Sequence, residues 1–270
     1  MKAVILARGL GTRMQREDAS ARLSREQSRA ADAGMKAMMP LERGRPFLYY
    51  LLSAIADAGV REICLVVGPD ATGIQRHFHH ELTLRRVRIS FAIQPEARGT
   101  ADAVLAAEPV VRGDRFLVLN ADNFYPVESY RALVQADGCA VAGFDREVLV
   151  RQGNIDAERI RGYALLRVSE DGFLAEIVEK PDDATSAAMG EHALVSMNLW
   201  AFTTVIFDAC RRVKPSVRGE LELPDAVRIA ITELGERIQV LPSAGPVLDL
   251  ATRSDVAKLA NALRDARVVL

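Results

Sequence analysis

Short runs of β-branched and other apolar residues alternate with longer segments in which apolar residues recur at helical spacing. This alternation constrains the fold more than any other feature, because parallel strands need a crossover between them and a helix supplies it. The runs contain few polar residues, which is typical of strands covered on both faces. The pattern predicts strands at residues 2–7, 62–67, 88–93, 115–120 and 140–144, and helices at 46–58, 70–81, 100–107 and 128–136.

The second half of the chain is less regular. It predicts a β-hairpin formed by residues 163–168 and 172–179, a strand at 194–202, and helices at 204–212, 224–234 and 252–267. Two polar stretches, 15–34 and 146–161, interrupt the pattern and are interpreted as surface lids. Because no repeat or Pro/Gly/Ser-rich linker divides the chain, we expect one α/β domain over residues 1–270, with a mixed, mostly parallel sheet flanked by helices.

Composition excludes several classes of partner. The 35 Lys and Arg residues nearly balance the 36 Asp and Glu residues, so there is no overall positive charge to attract nucleic acid or an anionic membrane. No apolar run is long enough for a signal peptide or a membrane span, and we therefore expect a cytoplasmic protein. Cys64, Cys139 and Cys210 lie far apart among apolar residues, which favours buried, reduced thiols.

The first strand leads directly into Ala7-Arg8-Gly9-Leu10-Gly11-Thr12-Arg13. Glycines let the backbone turn its N–H groups toward an anion, and Arg13 adds a forked cation. A dinucleotide-binding loop would need a third glycine and an acidic residue after the second strand, and a Walker loop would need Gly-Lys-Ser/Thr; neither is present. From the residues of the loop alone, a tight structural turn and a phosphate site remain equally plausible.

The loop is followed by Lys36 in Met35-Lys36-Ala37-Met38-Met39-Pro40-Leu41 and then by the helix at 46–58. This combination resembles the sugar-1-phosphate nucleotidylyltransferases, also called NDP-sugar pyrophosphorylases, which place a Gly-x-Gly-Thr-Arg loop and a lysine segment in the same order. The gap between Arg13 and Lys36 is longer than is usual in that family. Arg8 stands where the family has a small residue, normally glycine.

Further segments extend the resemblance across almost the whole chain. Gln94 to Ala103 resembles a Gln-x-x-x-x-Gly-Thr-Ala segment that recognises the nucleotide base, since an amide both donates and accepts and Gly99 lets the base approach the backbone. Leu119-Asn120-Ala121-Asp122-Asn123 resembles Leu-Gly-Asp-Asn, with Asn120 in place of glycine. Asp249 lies in a segment similar to Trp-Leu-Asp before the last helix. The resemblance makes Asp122 and Asp249 the ligands of Mg²⁺, which takes one or two carboxylates and completes its shell with phosphates and water.

Two segments resemble the sugar-phosphate side of the family. Ile177-Val178-Glu179-Lys180-Pro181 is similar to a Val-Glu-Lys-Pro motif, and Arg218 opens a run similar to the Arg-Gly-Glu-x-Glu segment of the thymidylyl- and uridylyltransferase branch. Asn198 lies where the family has an Ala-Gly or Thr-Gly pair beside the sugar. The resemblance therefore implies that the sugar phosphate is bound by Asn120, Glu179, Lys180, Asn198 and Arg218.

The implied reaction joins a nucleoside triphosphate, preferably dTTP or UTP, to a hexose 1-phosphate of the glucose type and releases pyrophosphate. The implied fold is Rossmann-like, of the nucleotide-diphospho-sugar transferase type, with residues 1–145 mainly binding nucleotide and 146–270 mainly binding sugar phosphate. Homo-oligomers are possible, and GTP or CTP with another sugar is an alternative, as is a non-catalytic nucleotide-sugar-binding paralogue. Arg13, Lys36, Asp122 and Lys180 are the implied catalytic residues; the implied nucleotide-binding residues are Leu6, Ala7, Arg8, Gly9, Gly11, Thr12, Arg13, Gln94, Gly99 and Thr100.

Overall fold

The predicted alternation produces a mixed sheet with helices on both faces. The computed structural model describes residues 1–113, 115–190 and 192–270. Within these residues the strands are β1 Lys2–Leu6, β2 Glu62–Val67, β3 Arg88–Ile93, β4 Phe116–Asn120, β5 Asn123–Phe124, β6 Cys139–Phe144, β7 Ala164–Val168, β8 Leu174–Val178, β9 Leu194–Phe202, β10 Ile238–Ser243 and β11 Leu248–Asp249.

The α-helices of the same described residues vary from one turn to three. They are α1 Thr12–Gln15, α2 Arg25–Asp32, α3 Phe47–Asp57, α4 Thr72–Arg76, α5 Thr100–Ala106, α6 Glu108–Val111, α7 Val127–Gln135, α8 Arg146–Arg151, α9 Ala157–Ile160, α10 Asp183–Ala188, α11 Val205–Arg212, α12 Leu223–Thr232 and α13 Asp255–Ala262. Single turns of 3-10 helix occur at Lys36–Met38 and Glu42–Gly44, and a π turn at His77–Glu81. No helix in the described ranges is long and apolar enough to cross a membrane.

The main sheet has the strand order β10-β6-β9-β4-β1-β2-β3. Strands β4, β1, β2 and β3 are parallel, as are β10 and β6, whereas β9 runs antiparallel to both β4 and β6. The predicted hairpin forms as β7 and β8, and β7 joins the sheet along β9. The α/β class and the mostly parallel sheet are therefore confirmed.

Alternate residues of the central strands feed two hydrophobic cores. Ile5 packs on one face of the sheet and Val4 on the other, and both side chains are fully buried. The most regular predicted helix forms as α3. Its apolar residues fill the core on the same face of the sheet as Ile5, which is called the first core. Each thiol of Cys64, Cys139 and Cys210 is buried and unpaired, as expected, and burial raises the pKa of Cys64 to about 11.

Several predicted boundaries are wrong. The helix expected at 70–81 is α only as far as Arg76 and then widens into the π turn, and the helix expected at 252–267 is confined to Asp255–Ala262. Strand β10 was not predicted, because Gln239, Pro242 and Ser243 interrupt its apolar pattern. A strand at the edge of a sheet tolerates proline, since the missing N–H can face away from the ladder.

The two polar stretches are packed against the domain, and the stretch at 146–161 is not a surface lid. In the first stretch, α2 starts with a capping box between Ser24 and Gln27 and buries Ala30 and Ala31. In the second stretch, α8 and α9 are anchored by three apolar residues of the first core. These residues are Leu149, Ile155 and Ile160.

Candidate active site

The carboxyl ends of the central strands are joined side by side. The main-chain oxygen of Leu6 accepts a hydrogen bond from the N–H of Ala121 at 3.2 Å, and the N–H of Ala7 donates to Val66 at 2.9 Å. The ends of β1, β2 and β4 therefore open onto one edge of the sheet. Ligands of open α/β sheets bind at this edge, because the loops that follow parallel strands meet there.

Glycines hold the loop after β1 against the turn that carries Lys36. Gly11 and Gly34 have φ values of 63° and 67°, in the left-handed region. A Cβ atom on Gly11 would lie 2.6 Å from the oxygen of Gly34, and that same oxygen accepts from the N–H of Lys36 at 2.9 Å. A side chain on Gly9, in contrast, would meet no atom within 4 Å. Gly11 is required for packing, whereas Gly9 leaves the loop backbone open.

Arg13 and Thr12 lie at the start of α1 with exposed side chains. No hydrogen bond or ion pair with another described residue holds the guanidinium of Arg13. A free guanidinium beside an open glycine loop can contact the oxygens of a phosphate without first breaking an internal ion pair.

Lys36 and Asp122 form an ion pair across this edge. The Nζ atom of Lys36 lies 2.9 Å from Oδ2 of Asp122, and their side chains are 13% and 28% exposed. Asp249 is brought beside them because β5 and β11 pair, with Asn123 opposite Asp249. The N–H of Leu250 also donates to the main-chain oxygen of Asp122 at 2.8 Å. The site therefore places one ammonium and two carboxylates together.

Asp249 is buried and is held by side chains that sequence analysis did not select. The Nδ2 atom of Asn123 donates to its Oδ1 at 3.1 Å, and the hydroxyl of Tyr163 donates to Oδ2 at 2.7 Å. Asn154 binds both the N–H and the main-chain oxygen of Asp249. Burial, and then the nearby carboxylate of Asp122, raise the pKa of Asp249.

Arg159 of α9 also reaches Asp249. Its guanidinium donates to Oδ2 of Asp249 and, through Nη1, to Oδ1 of Asp255 at 3.1 Å. Burial opposes the charge of Arg159, but the two carboxylates together raise its pKa. The polar composition of residues 146–161 was the only sequence signal for this contact, and it had suggested a lid.

The site offers two carboxylates to a divalent cation. In the described part of the chain, no group of three or more His, Cys, Asp and Glu side chains is arranged to hold a metal ion. Asp122 and Asp249 alone supply two carboxylates, and Mg²⁺ usually takes no more than that from a protein when phosphates and water fill the remaining positions. One oxygen of Asp122 is bound by Lys36. Both oxygens of Asp249 already accept hydrogen bonds, Oδ1 from Asn123 and Oδ2 from Arg159 and Tyr163.

The segment after β3 is fixed by its own side chains. Gln94 is 3% exposed, and its Nε2 atom donates to the main-chain oxygen of Gly99 at 3.1 Å and to Oδ2 of Asp102 at 2.8 Å. Arg8 donates from Nε to the main-chain oxygen of Gln94 at 2.6 Å and from Nη2 to that of Pro95 at 2.8 Å. Arg8 thus joins the loop after β1 to the segment after β3. Both amide hydrogens of Gln94 are already used within the protein.

Gly99 and Thr100 connect this segment to the second half of the chain. Gly99 has a φ value of 121°, and a side chain on it would collide with the backbone of Leu221. The hydroxyl oxygen of Thr100 accepts from the N–H of Leu223 at 2.9 Å. The N–H of Ala101 donates to Leu221 at 2.9 Å. The loop that begins with Arg218 is therefore anchored to the base of α5.

Glu179, Arg218 and Glu222 form a second charged cluster, with Lys180 beside them. Nη2 of Arg218 lies 2.8 Å from the carboxylate of Glu222 and 3.9 Å from that of Glu179. Burial raises the pKa of Glu179 and Glu222 raises it further, whereas Lys180 and Arg218 lower it. Lys180 is exposed and has a φ value of 46°. This cluster brings together three of the predicted sugar-phosphate residues, Glu179, Lys180 and Arg218, from two separate segments.

A chain of carboxamides leads from the sheet to Asp249. Nδ2 of Asn198 donates to Oδ1 of Asn120 at 2.7 Å, and Nδ2 of Asn120 donates to Oδ1 of Asn123 at 3.2 Å. Asn123 in turn donates to Asp249. Asn120 and Asn198 thus contact each other, and Asn120 also contacts Asn123, which sequence analysis did not select. Its position directly after Asp122 was the available signal.

Backbone N–H groups of an open glycine loop, a lysine and two carboxylates are groups that can bind phosphates and a divalent cation. The profile of the nucleotidyl transferase family matches residues 2–245, and the chain belongs to that family. It is 29% identical over 256 residues to the UTP–glucose-1-phosphate uridylyltransferase AglF of Haloferax volcanii. The aligned region covers 94% of this chain and 93% of that relative. It is also 25% identical over 272 residues to a glucose-1-phosphate thymidylyltransferase of Neisseria gonorrhoeae, covering 97% and 82%.

The fold agrees with solved structures of the same kind. A UDP-glucose pyrophosphorylase complexed with UDP-glucose superposes with a TM-score of 0.75 over 98% of this chain and 99% of that one, at 19% identity. At this identity the likeness establishes the fold alone. The fold, the family and the relatives together identify the chain as a nucleotidyltransferase.

Proposed function

We propose that the protein transfers a nucleotidyl group from a nucleoside triphosphate to a hexose 1-phosphate, forming an NDP-sugar and pyrophosphate. The observation that carries the proposal is the placement of Lys36, Asp122 and Asp249 together beside the open glycine loop. UTP or dTTP and a glucose-type sugar are the favoured substrates, because the relatives are named for those reactions.

The nucleotide side of the site is the edge formed by the first half of the chain. The N–H groups of the loop from Gly9 to Thr12, together with Arg13, bind the β- and γ-phosphates that leave as pyrophosphate. Lys36 lies near the α-phosphate and offsets the charge that develops on it. Leu6, Ala7, Gly99 and Thr100 form the walls, and Arg8 holds the base-recognition segment through the carbonyls of Gln94 and Pro95.

The sugar side is the charged cluster of the second half. Lys180 and Arg218 neutralise the sugar phosphate, and the carboxylate of Glu179 accepts from sugar hydroxyls. Asn120 and Asn198, whose carboxamides are hydrogen-bonded to each other, would complete the proposed sugar-phosphate site. Residues 1–145 thus supply mainly the nucleotide site and 146–270 mainly the sugar-phosphate site.

The chemistry needs positioning and charge neutralisation rather than a base. The attacking oxygen of a sugar phosphate is already an anion at neutral pH, so no proton has to be removed. The residues instead hold two polyanions in line, which lowers the entropic barrier and stabilises the developing charge. A divalent cation is general in this family. Asp122 and Asp249 would hold Mg²⁺, which would supply further neutralisation of the phosphates.

The test is an activity panel. Pyrophosphate release is measured for each of UTP, dTTP, GTP and CTP with glucose 1-phosphate and other sugar 1-phosphates. We expect turnover with at least one pair, and Asp122→Asn to lower it by roughly two orders of magnitude or more while the melting temperature stays within a few degrees. Arg8→Gly is assayed on the same panel and should raise the KM of the triphosphate but not that of the sugar phosphate.

Two outcomes would contradict the proposal. Tight nucleotide-sugar binding without pyrophosphate release from any pair would favour the non-catalytic paralogue. Near-normal turnover of the Asp122→Asn protein would remove this residue from the reaction. A matched control is Asp137→Asn, since Asp137 lies in the exposed turn between α7 and β6.

A further inference from the structure

Arg253, in the turn before α13, holds the carboxyl end of α1. Its Nε atom donates to the main-chain oxygens of Met14 at 3.1 Å and Arg16 at 2.9 Å, and its Nη2 atom donates to that of Gln15 at 3.2 Å. The last carbonyls of a helix have no partner within the helix, and a basic side chain can bind them. The side chain of Arg253 is 11% exposed, so these contacts lie largely out of solvent.

The same guanidinium reaches the end of α2. Its Nη2 atom lies 2.6 Å from Oδ1 of Asp32, the last residue of that helix. Two residues later, Gly34 packs so closely on the loop after β1 that a side chain on it would collide with the main-chain oxygen of Leu10. Gly34 also accepts from the N–H of Lys36. Arg253 therefore joins the two helices on either side of the contact between the glycine loop and the turn that carries Lys36.

The backbone that carries Arg253 is fixed by a buried carboxylate. Oδ2 of Asp255 accepts from the N–H groups of Ala251 at 3.1 Å and Thr252 at 2.8 Å, and Asp255 is 1% exposed. Asp249, which is also buried, lies four residues before Arg253 in the same segment. The guanidinium thus connects α1 and α2 to the segment of the proposed metal ligand.

Packing gives α1 little other support. The helix has four residues, which is too short to be stable on its own, and Met14 is the one residue among the four that is buried. Thr12 and Arg13 are exposed, and no side chain caps the first turn. The orientation of Arg13 therefore depends on the hydrogen bonds that hold the other end of α1.

We propose that Arg253 is a positioning residue for the triphosphate. This inference rests on the proposed function, in which the glycine loop and Arg13 bind the β- and γ-phosphates. Arg253 sets where Arg13 and Lys36 lie relative to Asp249, so that groups from three segments can bind one polyanion together. Misplacing such groups by about 1 Å can lower a rate by about two orders of magnitude, even when the substitution lies away from the chemistry.

Titration calorimetry with each of UTP, dTTP, GTP and CTP, in the presence of Mg²⁺, tests the effect on affinity. We expect Arg253→Met, which keeps the length of the side chain but removes all four hydrogen bonds, to raise the Kd of the tightest-binding triphosphate about tenfold or more. The KM of the triphosphate should rise similarly. The KM of the sugar phosphate should change less than twofold, because α1 and α2 carry none of its proposed binding residues.

Two further variants separate positioning from general stability. Arg253→Lys keeps the charge and can still bind some of the carbonyls, so its Kd should return to within about threefold of the native value. Arg264→Met is the matched control, since Arg264 is exposed in the turn after α13 and donates to Asn261. It should change the Kd less than twofold. Equal increases in the KM of both substrates for Arg253→Met would show a general structural role and contradict the proposal.

Hydrogen exchange of the ligand-free protein measures the positioning directly. Amides in peptides covering residues 11–16 and 33–36 should exchange faster in Arg253→Met than in the native protein, because local opening no longer breaks the guanidinium contacts. If Arg253→Met does not fold, the same comparison is made with Arg253→Lys, in which a smaller increase is expected. Unchanged exchange together with weaker triphosphate binding would mean that Arg253 acts on the ligand itself and not through α1.

The calorimetry also distinguishes this inference from the proposed function. If the native protein bound none of the four triphosphates, the proposed function would fail and the inference with it. If the native protein bound one of them and Arg253→Met bound it equally well, the inference alone would fail.

Discussion

Asn198 adopts a left-handed backbone conformation with a φ value of 60°. Asparagine tolerates this region better than most residues, because its short polar side chain forms local hydrogen bonds. Its Oδ1 accepts from Nε1 of the buried Trp200 at 2.8 Å, and its Nδ2 donates to Asn120. One residue therefore satisfies the indole of the core and fixes the carboxamide chain that leads to Asp249.

Because Asn198 has both roles, its alanine and glycine variants should differ in their free energies of unfolding. Asn198→Ala should lower the free energy of unfolding by about 1–3 kcal/mol, because it leaves the indole N–H of Trp200 unpaired and adds strain at positive φ. Asn198→Gly loses the same hydrogen bonds but adds no strain. Its loss of unfolding free energy should therefore be about 1 kcal/mol smaller than that of Asn198→Ala. Urea unfolding monitored by the fluorescence of the single tryptophan measures both variants. Equal losses would show that the backbone at this position is unstrained.

The environment of Glu179 in the charged cluster disfavours its ionised form and so lowers the stability of the folded protein at neutral pH. Its pKa is raised above the usual 4.5 by burial first and by Glu222 second. Below pH 4 the side chain is protonated in both the folded and unfolded states, so it does not affect their balance. As the pH rises through the usual pKa and then through the raised one, Glu179 loses its proton less readily in the folded state than in the unfolded state. The free energy of unfolding therefore falls.

Glu179→Gln is neutral at every pH and should therefore have a higher melting temperature than the native protein at pH 7–8, with the difference disappearing below about pH 4. The same change should raise the KM of the sugar phosphate. Glu176→Gln is the control, since Glu176 lies on β8, three residues before Glu179, in an exposed pair with Arg167. A difference in melting temperature that did not vary with pH would contradict the ionisation argument.

At the scale of elements, α8 and α9 show how short helices position a distant charge. Each begins at an aspartate cap, Asp145 or Asp156, whose carboxylate accepts from N–H groups of the first turn. Buried apolar residues then fix the two turns against the core. As a result, Arg159 is held between two carboxylates whose side chains are only 5% and 1% exposed.

Removing this guanidinium should be costly. Arg159→Met leaves the carboxylates of Asp249 and Asp255 without their cation, and breaking a buried ion pair from one side typically costs about 3–5 kcal/mol. The matched change Arg151→Met, on the exposed face of α8, should cost less than about 1 kcal/mol. Urea unfolding at pH 7 measures both. A loss under 1 kcal/mol for Arg159→Met would show that the other donors to these carboxylates suffice.

At the scale of the whole molecule, the two halves of the proposed site are connected through the backbone. The N–H of Leu221 donates to Arg98 at 2.7 Å, and Ala101 and Thr100 bind Leu221 and Leu223 in return. The segment proposed to recognise the base and the loop that carries Arg218 therefore form one hydrogen-bonded unit. A ligand that stabilises one side also stabilises the other, because local opening has to break the shared hydrogen bonds.

Hydrogen exchange tests this coupling. A saturating nucleoside triphosphate, with no sugar phosphate present, should slow amide exchange about tenfold or more in peptides covering residues 216–223. Peptides covering the hairpin turn at 169–173 serve as the control, since among the described residues its backbone hydrogen bonds are within the turn and with Val240 of β10. Protection confined to residues 1–145 would show that the halves respond independently.

Most strand positions could be predicted from the local sequence pattern. Strands β2 and β3 end where the apolar runs end, and β9 spans its full predicted length. The loop after β1 and Lys36 were recognisable because the residues around them and their order resemble those of a known family. Strand β10 was missed, since a short edge strand with a proline has no distinctive periodicity and forms only where β6 offers a partner.

Which distant side chains meet was settled only by folding. Asn123 and Asp249 are 126 residues apart, yet they are hydrogen-bonded neighbours, and Arg159 reaches Asp249 across 90 residues. Periodicity follows from the backbone geometry of a few neighbouring residues and from which face is buried, so it is written into each segment. Ion pairs and carboxamide chains depend instead on how whole elements pack, and each segment taken alone carries no record of its partner.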